Sequence, residues 1–430
     1  MSHSLRTIVL FGAVGLLILG TGVLQGWDLA LVILNMGLVS AIMSLGVNLQ
    51  WGIAGLFNVG IMGFVALGGM AVVLTSVDPV DEAWAAGGIR AIFALVLGAA
   101  TIAGAFQLWR RTRNRWVVAL FILVGFIIYR MVRDPAVDAI EAVNPAGTGF
   151  LGGLGLPVVF AWIVGGLLAA GGAWIIGKTA LGLRSDYLAI ATLGISEIII
   201  AIMKNEEWLT RGVKNVTGLP RPVPNEVDLQ NDPGFVETAA GLGLDPTSAS
   251  TLYVKLGYSL YFTAALIILL VLAQLALNSP WGRMMRAIRD NEVSARAMGK
   301  DVTFRHLQVF ILGSAICGIA GAMMTTLDGL LTPTSYQPLR YTFLIWVMVI
   351  VGGSGNNLGA VLGGFLIWFL WVQVETVGPG FMTWVTSWLP ADSDLRAHLL
   401  NSVQHMRLLT MGVILLVVLR FSPRGLLPER

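Results

Sequence analysis

The sequence has few charged residues, one cysteine and four histidines. Only 12% of its 430 residues are charged, against about a quarter in a soluble domain. Cys317 has no second cysteine to pair with, which excludes a disulfide framework within the chain. The histidines are scattered, and no pair has the spacing of a helical zinc site. We therefore predict no metal site, no catalytic group and no cofactor. The net charge of +3, with Lys and Arg in short clusters, excludes nucleic-acid binding.

Apolar residues dominate the chain. Hydrophobic residues make up 56% of the sequence and the mean hydropathy is +0.80, more apolar surface than a soluble fold can bury. The sequence therefore predicts an all-α, polytopic membrane bundle of about 10–12 spans. The apolar runs lie at 7–24, 29–47, 52–75, 90–108, 116–132, 156–176, 186–203, 256–277, 306–327, 341–352, 357–373 and 406–420. The runs at 341–352 and 357–373 are short, and predict either a tilted hairpin or one broken helix.

The loops alternate in charge along the chain. Basic residues cluster at 110–115, 283–305 and 420–430, whereas the loops at 78–82 and 134–141 are acidic. Because Lys and Arg concentrate in cytoplasmic loops, both termini are predicted to be cytoplasmic. We expect a single membrane domain over 1–430, with periplasmic loops at 204–255 and 374–405 and a cytoplasmic loop at 278–305.

The cytoplasmic loop at 278–305 contains a predicted amphipathic helix over 280–300. Pro280 and Gly282 mark its start, and Gly299 suits its end. Apolar residues recur loosely, at Met284, Met285, Ile288, Val293 and Met298. Charges of both signs fill other positions, at Arg283, Arg286, Arg289, Asp290, Glu292 and Arg296. The mixed charge favours docking against a partner protein, and the alternatives are a helix on the lipid surface or a basic loop that obeys the positive-inside rule.

Two further segments contain candidates for a translocation path. Glycines and amides stud 46–70, and the candidates there are Asn48, Gly52, Gly55 and Asn58. Such residues either line a polar path or let helices pack closely. Glu197 lies roughly 16 Å along its span at the rise of an α-helix, near the bilayer centre. A carboxyl group there indicates a functional site or an interhelical hydrogen bond.

Four blocks of sequence resemble the LivM-type permease subunits of bacterial ABC importers for branched-chain amino acids. The blocks are AIMSLGVNLQWGIAGLFNVG (41–60), LRSDYLAIATLGISEI (183–198), GRMMRAIRDNEVSARAMGKDV (282–302) and VMVIVGGSGNNLGAVLGG (347–364), with LTRGVKNVTGLPRP (209–222) between them. Two features depart from the family pattern. Val293 and Ser294 replace the paired alanines usual after the loop Glu, and the spans at 90–132 look like an addition.

The resemblance implies a permease of the bacterial inner membrane that is not itself an enzyme. Its partners would be a second homologous permease, two cytoplasmic ABC ATPases that hydrolyse ATP, a periplasmic substrate-binding protein and membrane lipid. The family assigns the coupling helix that docks on the ATPase to 282–299. The residues expected at that contact are Arg283, Arg286, Arg289, Asp290, Glu292, Ala295, Arg296 and Gly299.

Several functions stay open at this point. A permease of the same architecture could import urea, short amides or other amino acids. An ion-coupled secondary transporter would need several buried ionisable groups, and Glu197 is the one found well inside a span. A membrane-embedded enzyme is disfavoured because no catalytic constellation is present.

Overall fold

A computed structural model describes residues 3–145, 147, 149–390 and 393–429. The apolar runs form helices because a helix satisfies its backbone hydrogen bonds within one segment, as the lipid interior requires. The longer helices are α1 (His3–Gln25), α2 (Trp27–Val47, continued by a π-helix over Asn48–Ile53), α3 (Ile61–Ser76), α5 (Ile89–Thr112), α6 (Arg115–Ala142), α7 (Val158–Ala180), α8 (Ser185–Asn205), α12 (Pro246–Asn278), α15 (Val302–Asp328), α16 (Pro338–Gly352), α17 (Asn357–Val385) and α19 (Met406–Phe421).

Shorter elements fill the connections. They are α4 (Asp81–Ala83, continued by a π-helix over Trp84–Gly88), α9 (Glu207–Thr210), α10 (Glu226–Asn231), α11 (Pro233–Gly241), α13 (Pro280–Asp290), α14 (Glu292–Ala297), α18 (Asp394–Asn401), and the 3-10 turns Gly212–Lys214, Pro333–Ser335 and Ser402–His405. Two short strands, β1 (Val216–Thr217) and β2 (Leu330–Leu331), pair antiparallel.

The polytopic all-α prediction is confirmed, with three adjustments to the spans. Within the described residues, nine helices are long and apolar enough to cross a membrane, or ten if the bent pair α18–α19 is one span; α3 and α16 are shorter apolar helices. The predicted run at 52–75 is not one helix, because the α2 segment continues to Ile53 and residues 54–60 are irregular. The runs at 341–352 and 357–373 are two helices packed as a hairpin. The loops predicted at 204–255 and 374–405 are shorter, since α12 begins at Pro246 and α17 reaches Val385.

Glycines let the central helices approach until their backbones touch. A Cβ atom on Gly68 of α3 would lie 1.9 Å from the carbonyl oxygen of Gly318 of α15. A Cβ on Gly318 would lie 2.5 Å from the carbonyl oxygen of Gly165 of α7. Interfaces of small residues are typical of membrane helices, where association depends on close packing instead of hydrophobic exclusion from water. Backbone contacts of this kind join α15 to both α3 and α7.

The two chain ends lie at the same end of the bundle as α13. A cavity of about 680 Å³ is bordered by Ser4 of α1, Asn278 of α12, Arg286 of α13 and Glu429. The C-terminal segment continues across this end, where the amide of Leu427 donates to the carbonyl oxygen of Gly352 at 2.8 Å. We call this the arginine-rich end, since the basic clusters at 283–305 and 420–430 lie here. It is the end predicted to be cytoplasmic.

Candidate functional site

The predicted helix over 280–300 is two helices, α13 and α14, separated by a break at Asn291. The prediction of one continuous helix is therefore wrong. Asn291 has extended backbone, and its side chain accepts a hydrogen bond from the amide of Ser294, capping α14. An asparagine in this position competes with the backbone for hydrogen bonds and favours a fresh helix start over continuation. The break at Asn291 therefore separates α14 from α13.

The α13 helix faces the bundle. Its apolar residues Met285 and Ile288 are fully buried. The guanidinium groups of Arg283 and Arg286 donate to the carbonyl oxygens of Asn278 and Leu277, the last turn of α12, at 3.2 and 3.3 Å. Cationic side chains satisfy the free carbonyl groups of a helix C-terminus in this way. These two arginines therefore fix α13 to the end of α12.

The α14 helix faces outward. Val293 and Met298 are each 79% exposed, and the ion pair between Arg296 and Glu292 spans one exposed turn at 2.6 Å. Ala295 packs inward, and Gly299, with a φ of +80°, follows the helix. Asp290, at the end of α13, is also exposed. Together, Asp290, Glu292, Val293, Arg296 and Met298 form an exposed patch of mixed charge and apolar side chains, which we call the α14 patch.

The second predicted segment contains an irregular stretch, residues 54–60, held between two helices. Gly55 has a φ of +70°, a left-handed conformation that glycine adopts without strain. The indole of Trp346 in α16 donates to the carbonyl oxygen of Asn58 at 3.2 Å, and the amide of Val59 donates to the hydroxyl of Thr192 in α8 at 3.1 Å. Within a membrane, irregular backbone is tolerated where it is buried in protein or lines a water-filled cavity, and here protein groups supply these hydrogen bonds.

Buried amide side chains brace the start of this stretch. Asn48 donates to the side-chain oxygen of Asn357 at 3.0 Å and accepts from the amide of Gly355 at 2.8 Å. Asn58 donates to the side-chain oxygen of Gln50 at 2.9 Å, and Gln50 donates to the carbonyl oxygen of Phe310 at 2.9 Å. The three amides are almost fully buried. Asn48 and Asn58 therefore stabilise the break in the α2 segment, with their side chains engaged within the bundle.

Arg289 joins the two predicted segments. One of its terminal nitrogens donates to the carbonyl oxygen of Gly52 at 2.5 Å and to the carboxylate of Glu429 at 2.8 Å, and its side-chain stem lies against Gly55. Burial lowers the pKa of Arg289, but the hydrogen bond to Glu429 and the negative charges of Glu429 and Asp290 together raise it by more, so the pKa is above its ordinary value. The structure thus brings Gly52 and Gly55 into contact with Arg289, one of the coupling-helix candidates.

Glu197 lies apart from this network, on the outer face of α8. The inner face of α8 packs on α3, where a Cβ on Gly63 would lie 2.9 Å from the Cα of Ser196. The side chain of Glu197 points away from that contact and is exposed, and it makes no hydrogen bond or ion pair with any described residue. It is roughly 18 Å from Ser185 at the rise of an α-helix. The carboxyl group of Glu197 therefore makes no interhelical hydrogen bond with the described part of this chain.

Sequence reasoning missed the partners that complete the network. Glu429 stands near the end of the chain and Trp346 within an apolar run, and neither position has a local pattern that indicates a contact. Asn357 and Gly355 were visible as part of the 347–364 block, yet their contact with Asn48 depends on a sequence separation of about 300 residues. Thr192 lies within the block 183–198, and nothing in the sequence indicates that its hydroxyl accepts a hydrogen bond from the irregular stretch.

Comparison with known proteins gives one family. The family model described as the branched-chain amino acid transport system permease component matches residues 139–419. The match includes α8, α13, α14 and Arg289, and it begins after α5 and nearly all of α6. No solved structure matches the chain.

Several curated relatives are similar at about a quarter identity. The high-affinity branched-chain amino acid transport system permease protein LivM of Escherichia coli is 26% identical over 272 residues, 62% of this chain and 56% of that protein. The probable branched-chain amino acid transport permease protein LivM of Methanocaldococcus jannaschii is 26% identical over 306 residues, 71% and 76% of the two chains. The ribose import permease protein RbsC of Haemophilus influenzae is 26% identical over 62% of this chain and 86% of its own length. The aligned region spans about half the length of the Escherichia coli relative.

Proposed function

The chain belongs to the family of permease components of branched-chain amino acid transport systems, and on that premise we propose that it is the membrane-spanning subunit of an ATP-driven importer. In this proposal a binding protein delivers branched-chain or related apolar amino acids at the outer end. A second permease completes the pore, and two ATPases dock at the arginine-rich end, in the cytoplasm. In this arrangement the protein lies in the inner membrane of a bacterium, and both of its termini are in the cytoplasm.

The contact of Arg289 with Gly52 is the observation that carries the proposal. An ATPase bound to the α14 patch would move α14, and α13 would follow because only Asn291 separates the two helices. Arg289 would carry that motion to Gly52, where the α2 segment ends and the irregular stretch 54–60 begins. A charged hydrogen bond to a buried backbone carbonyl holds such a position more firmly than a neutral one. The arrangement supports direct transmission from the docking surface to the centre of the bundle.

We further propose that the translocation path lies against the outer face of α8. A carboxyl group in mid-span costs at least about 2.5 kcal/mol when it faces lipid, so Glu197 needs a partner chain or water beside it. A second permease packed there would leave a polar path between the two chains, lined by Glu197. The other candidates would not line this path, since their polar groups are engaged inside the bundle. They would affect it indirectly, by setting the position of α3 and α8; these residues are Asn48, Gly52, Gly55 and Asn58.

The docking proposal is tested by changing apolar residues of the α14 patch. Val293→Asp and Met298→Asp place charge on a surface that is exposed in the isolated chain, so the chain itself should fold. We expect the ATPase to be lost from the purified complex. Leu242→Asp is the matched control, because Leu242 is 73% exposed but follows α11, between β1 and α12. An ATPase that co-purifies at normal stoichiometry with both patch variants would refute the docking assignment.

The substrate is tested by uptake. Vesicles that contain the complete complex are loaded with ATP and given the co-encoded binding protein, with radiolabelled leucine, urea or ribose. We expect leucine uptake that requires ATP. Uptake of urea or ribose without uptake of leucine would mean that the same architecture transports that other substrate.

One observation favours a second function, an ion-coupled transporter, namely the carboxyl group of Glu197 within a span. The two functions differ in energy source. Uptake that follows the pH gradient in ATP-free vesicles, and is abolished by Glu197→Gln, would replace the ATP-driven proposal. The control is Glu237→Gln, which removes an exposed carboxyl group on the short helix α11.

A further inference from the structure

The α5–α6 hairpin lies on the outside of the bundle. It lies almost entirely outside the region matched by the family model, residues 139–419. Most of its large apolar side chains are exposed, and the few buried residues of α6 lie near its last turns, at Ala136, Val137 and Ile140. Those residues pack beside Trp208, and an ion pair between Arg133 and Glu206 adds to the junction. The rest of the hairpin is therefore not covered by any described part of this chain and is open to lipid.

The turn of this hairpin is strongly basic. Arg110, Arg111, Arg113 and Arg115 are all exposed, and none is in an ion pair with a described residue. No Asp or Glu occurs anywhere in 83–133. The guanidinium group of Arg110 lies 4.4 Å above the ring of Phe106, and that of Arg115 lies 5.5 Å above the ring of Trp116. These aromatic contacts position the guanidinium groups and leave their N–H groups free to bind an anion.

An apolar cleft runs along the same hairpin. Its volume is about 390 Å³, and its lining includes Gly98, Thr101, Ile102, Gly125, Phe126 and Tyr129. Ile102 precedes the end of α5 by ten residues, roughly 15 Å at the helical rise. The cleft thus begins within reach of an acyl chain whose headgroup lies at the turn. Its walls are almost entirely apolar, as a hydrocarbon chain requires.

We propose that the α5–α6 hairpin binds an anionic phospholipid, with the phosphate at the arginine turn and an acyl chain in the cleft. Arginine suits this ligand because its planar fork donates two parallel hydrogen bonds to a phosphate. The cytoplasmic leaflet, where the turn is predicted to lie, is rich in anionic lipid and attracts basic segments. The positive-inside rule accounts for the charge of the turn, but it does not account for the adjoining apolar cleft.

The test is lipid binding to the purified full chain with the partners that co-purify with it. After delipidation, phosphatidylglycerol or phosphatidylcholine with identical acyl chains is added, and bound lipid is counted by native mass spectrometry. We expect phosphatidylglycerol to bind selectively, and inorganic phosphate not to compete at equal concentration. Two double variants, R110Q/R111Q and R113Q/R115Q, are each expected to weaken phosphatidylglycerol binding roughly thirtyfold, from the typical contribution of a basic residue at an anionic surface.

The matched controls separate a specific site from general positive charge. R420Q/R424Q removes two exposed arginines at the arginine-rich end but outside the hairpin, and should leave binding unchanged. The quadruple replacement by lysine keeps the charge, and should insert normally and bind measurably more weakly than the wild type. Equal binding of both lipids, equal loss in R420Q/R424Q, or full binding in both glutamine variants would each overturn the proposal. Loss of the ATPase instead of the lipid would assign the turn to protein docking and overturn it as well.

Discussion

Replacement of Arg289 by glutamine tests the link between the docking surface and the break in the α2 segment. The variant removes the charged hydrogen bond to the carbonyl oxygen of Gly52 and the ion pair with Glu429. Hydrogen bonds that involve a charged group contribute about 1.5–3 kcal/mol when buried. The Arg289 side chain is 24% exposed, which screens part of this energy. We therefore expect the contact to weaken by about 1–2 kcal/mol.

The expected consequence is loss of coupling with the complex intact. The substitution removes the ion pair of Arg289 with Asp290 but leaves all five side chains of the α14 patch in place, so the ATPase should still co-purify at normal stoichiometry. A loss of 1–2 kcal/mol corresponds to roughly five- to thirtyfold in an equilibrium. We expect ATP-dependent uptake to fall by about tenfold, while ATP hydrolysis continues and no longer depends on the binding protein. Reconstituted complexes allow uptake and hydrolysis to be measured on the same sample.

Two further variants isolate the contact. Glu429→Gln removes only the ion pair and keeps the bond to Gly52, so its effect should be smaller than that of Arg289→Gln. Arg420→Gln is the matched control, because Arg420 is an exposed arginine at the same end of the bundle and makes no hydrogen bond or ion pair with a described residue. Normal uptake by Arg289→Gln, or an equal defect in Arg420→Gln, would refute the role assigned to this contact.

Three other expectations follow from the packing and from α8. Asn48→Ala leaves the amide of Gly355 and the side-chain oxygen of Asn357 without the hydrogen bonds that Asn48 makes, so the variant should lose about 2–4 kcal/mol of stability and melt at a lower temperature in detergent. Asn205→Ala, at the exposed end of α8, should keep the wild-type melting temperature, and equal melting of the two variants would contradict the bracing role of Asn48. Gly68→Val places side-chain atoms on the backbone of α15 and should severely reduce the yield of monodisperse protein, as measured by size-exclusion chromatography. Gly171→Val is the control, because the space around Gly171 is open. Glu197→Gln should reduce uptake without lowering the melting temperature, because this side chain has no partner among the described residues; a lowered melting temperature with full uptake would make it a structural group.

The sequence by itself determined the architecture, because hydropathy and charge act locally. A run of about 20 apolar residues can satisfy its backbone in lipid only as a helix, and arginine clusters orient the runs that flank them. The same local reasoning predicted a helix of mixed charge at 280–300, although it did not predict the break at Asn291. Asparagine is only weakly unfavourable inside a helix, so the sequence around Asn291 does not reveal whether its side chain caps a new one.

Tertiary structure alone decided what the polar residues do. Asn48, Asn58 and Glu197 are alike in sequence terms, each a polar group in an apolar run. The first two are engaged inside the bundle, and the third faces out of it, because the close packing of Gly63 on Ser196 fixes which side of α8 is buried. The meeting of Arg289 with Gly52 and Glu429 likewise joins residues 237 and 140 positions apart. Such contacts depend on how many helices pack together, which no local pattern in the sequence encodes.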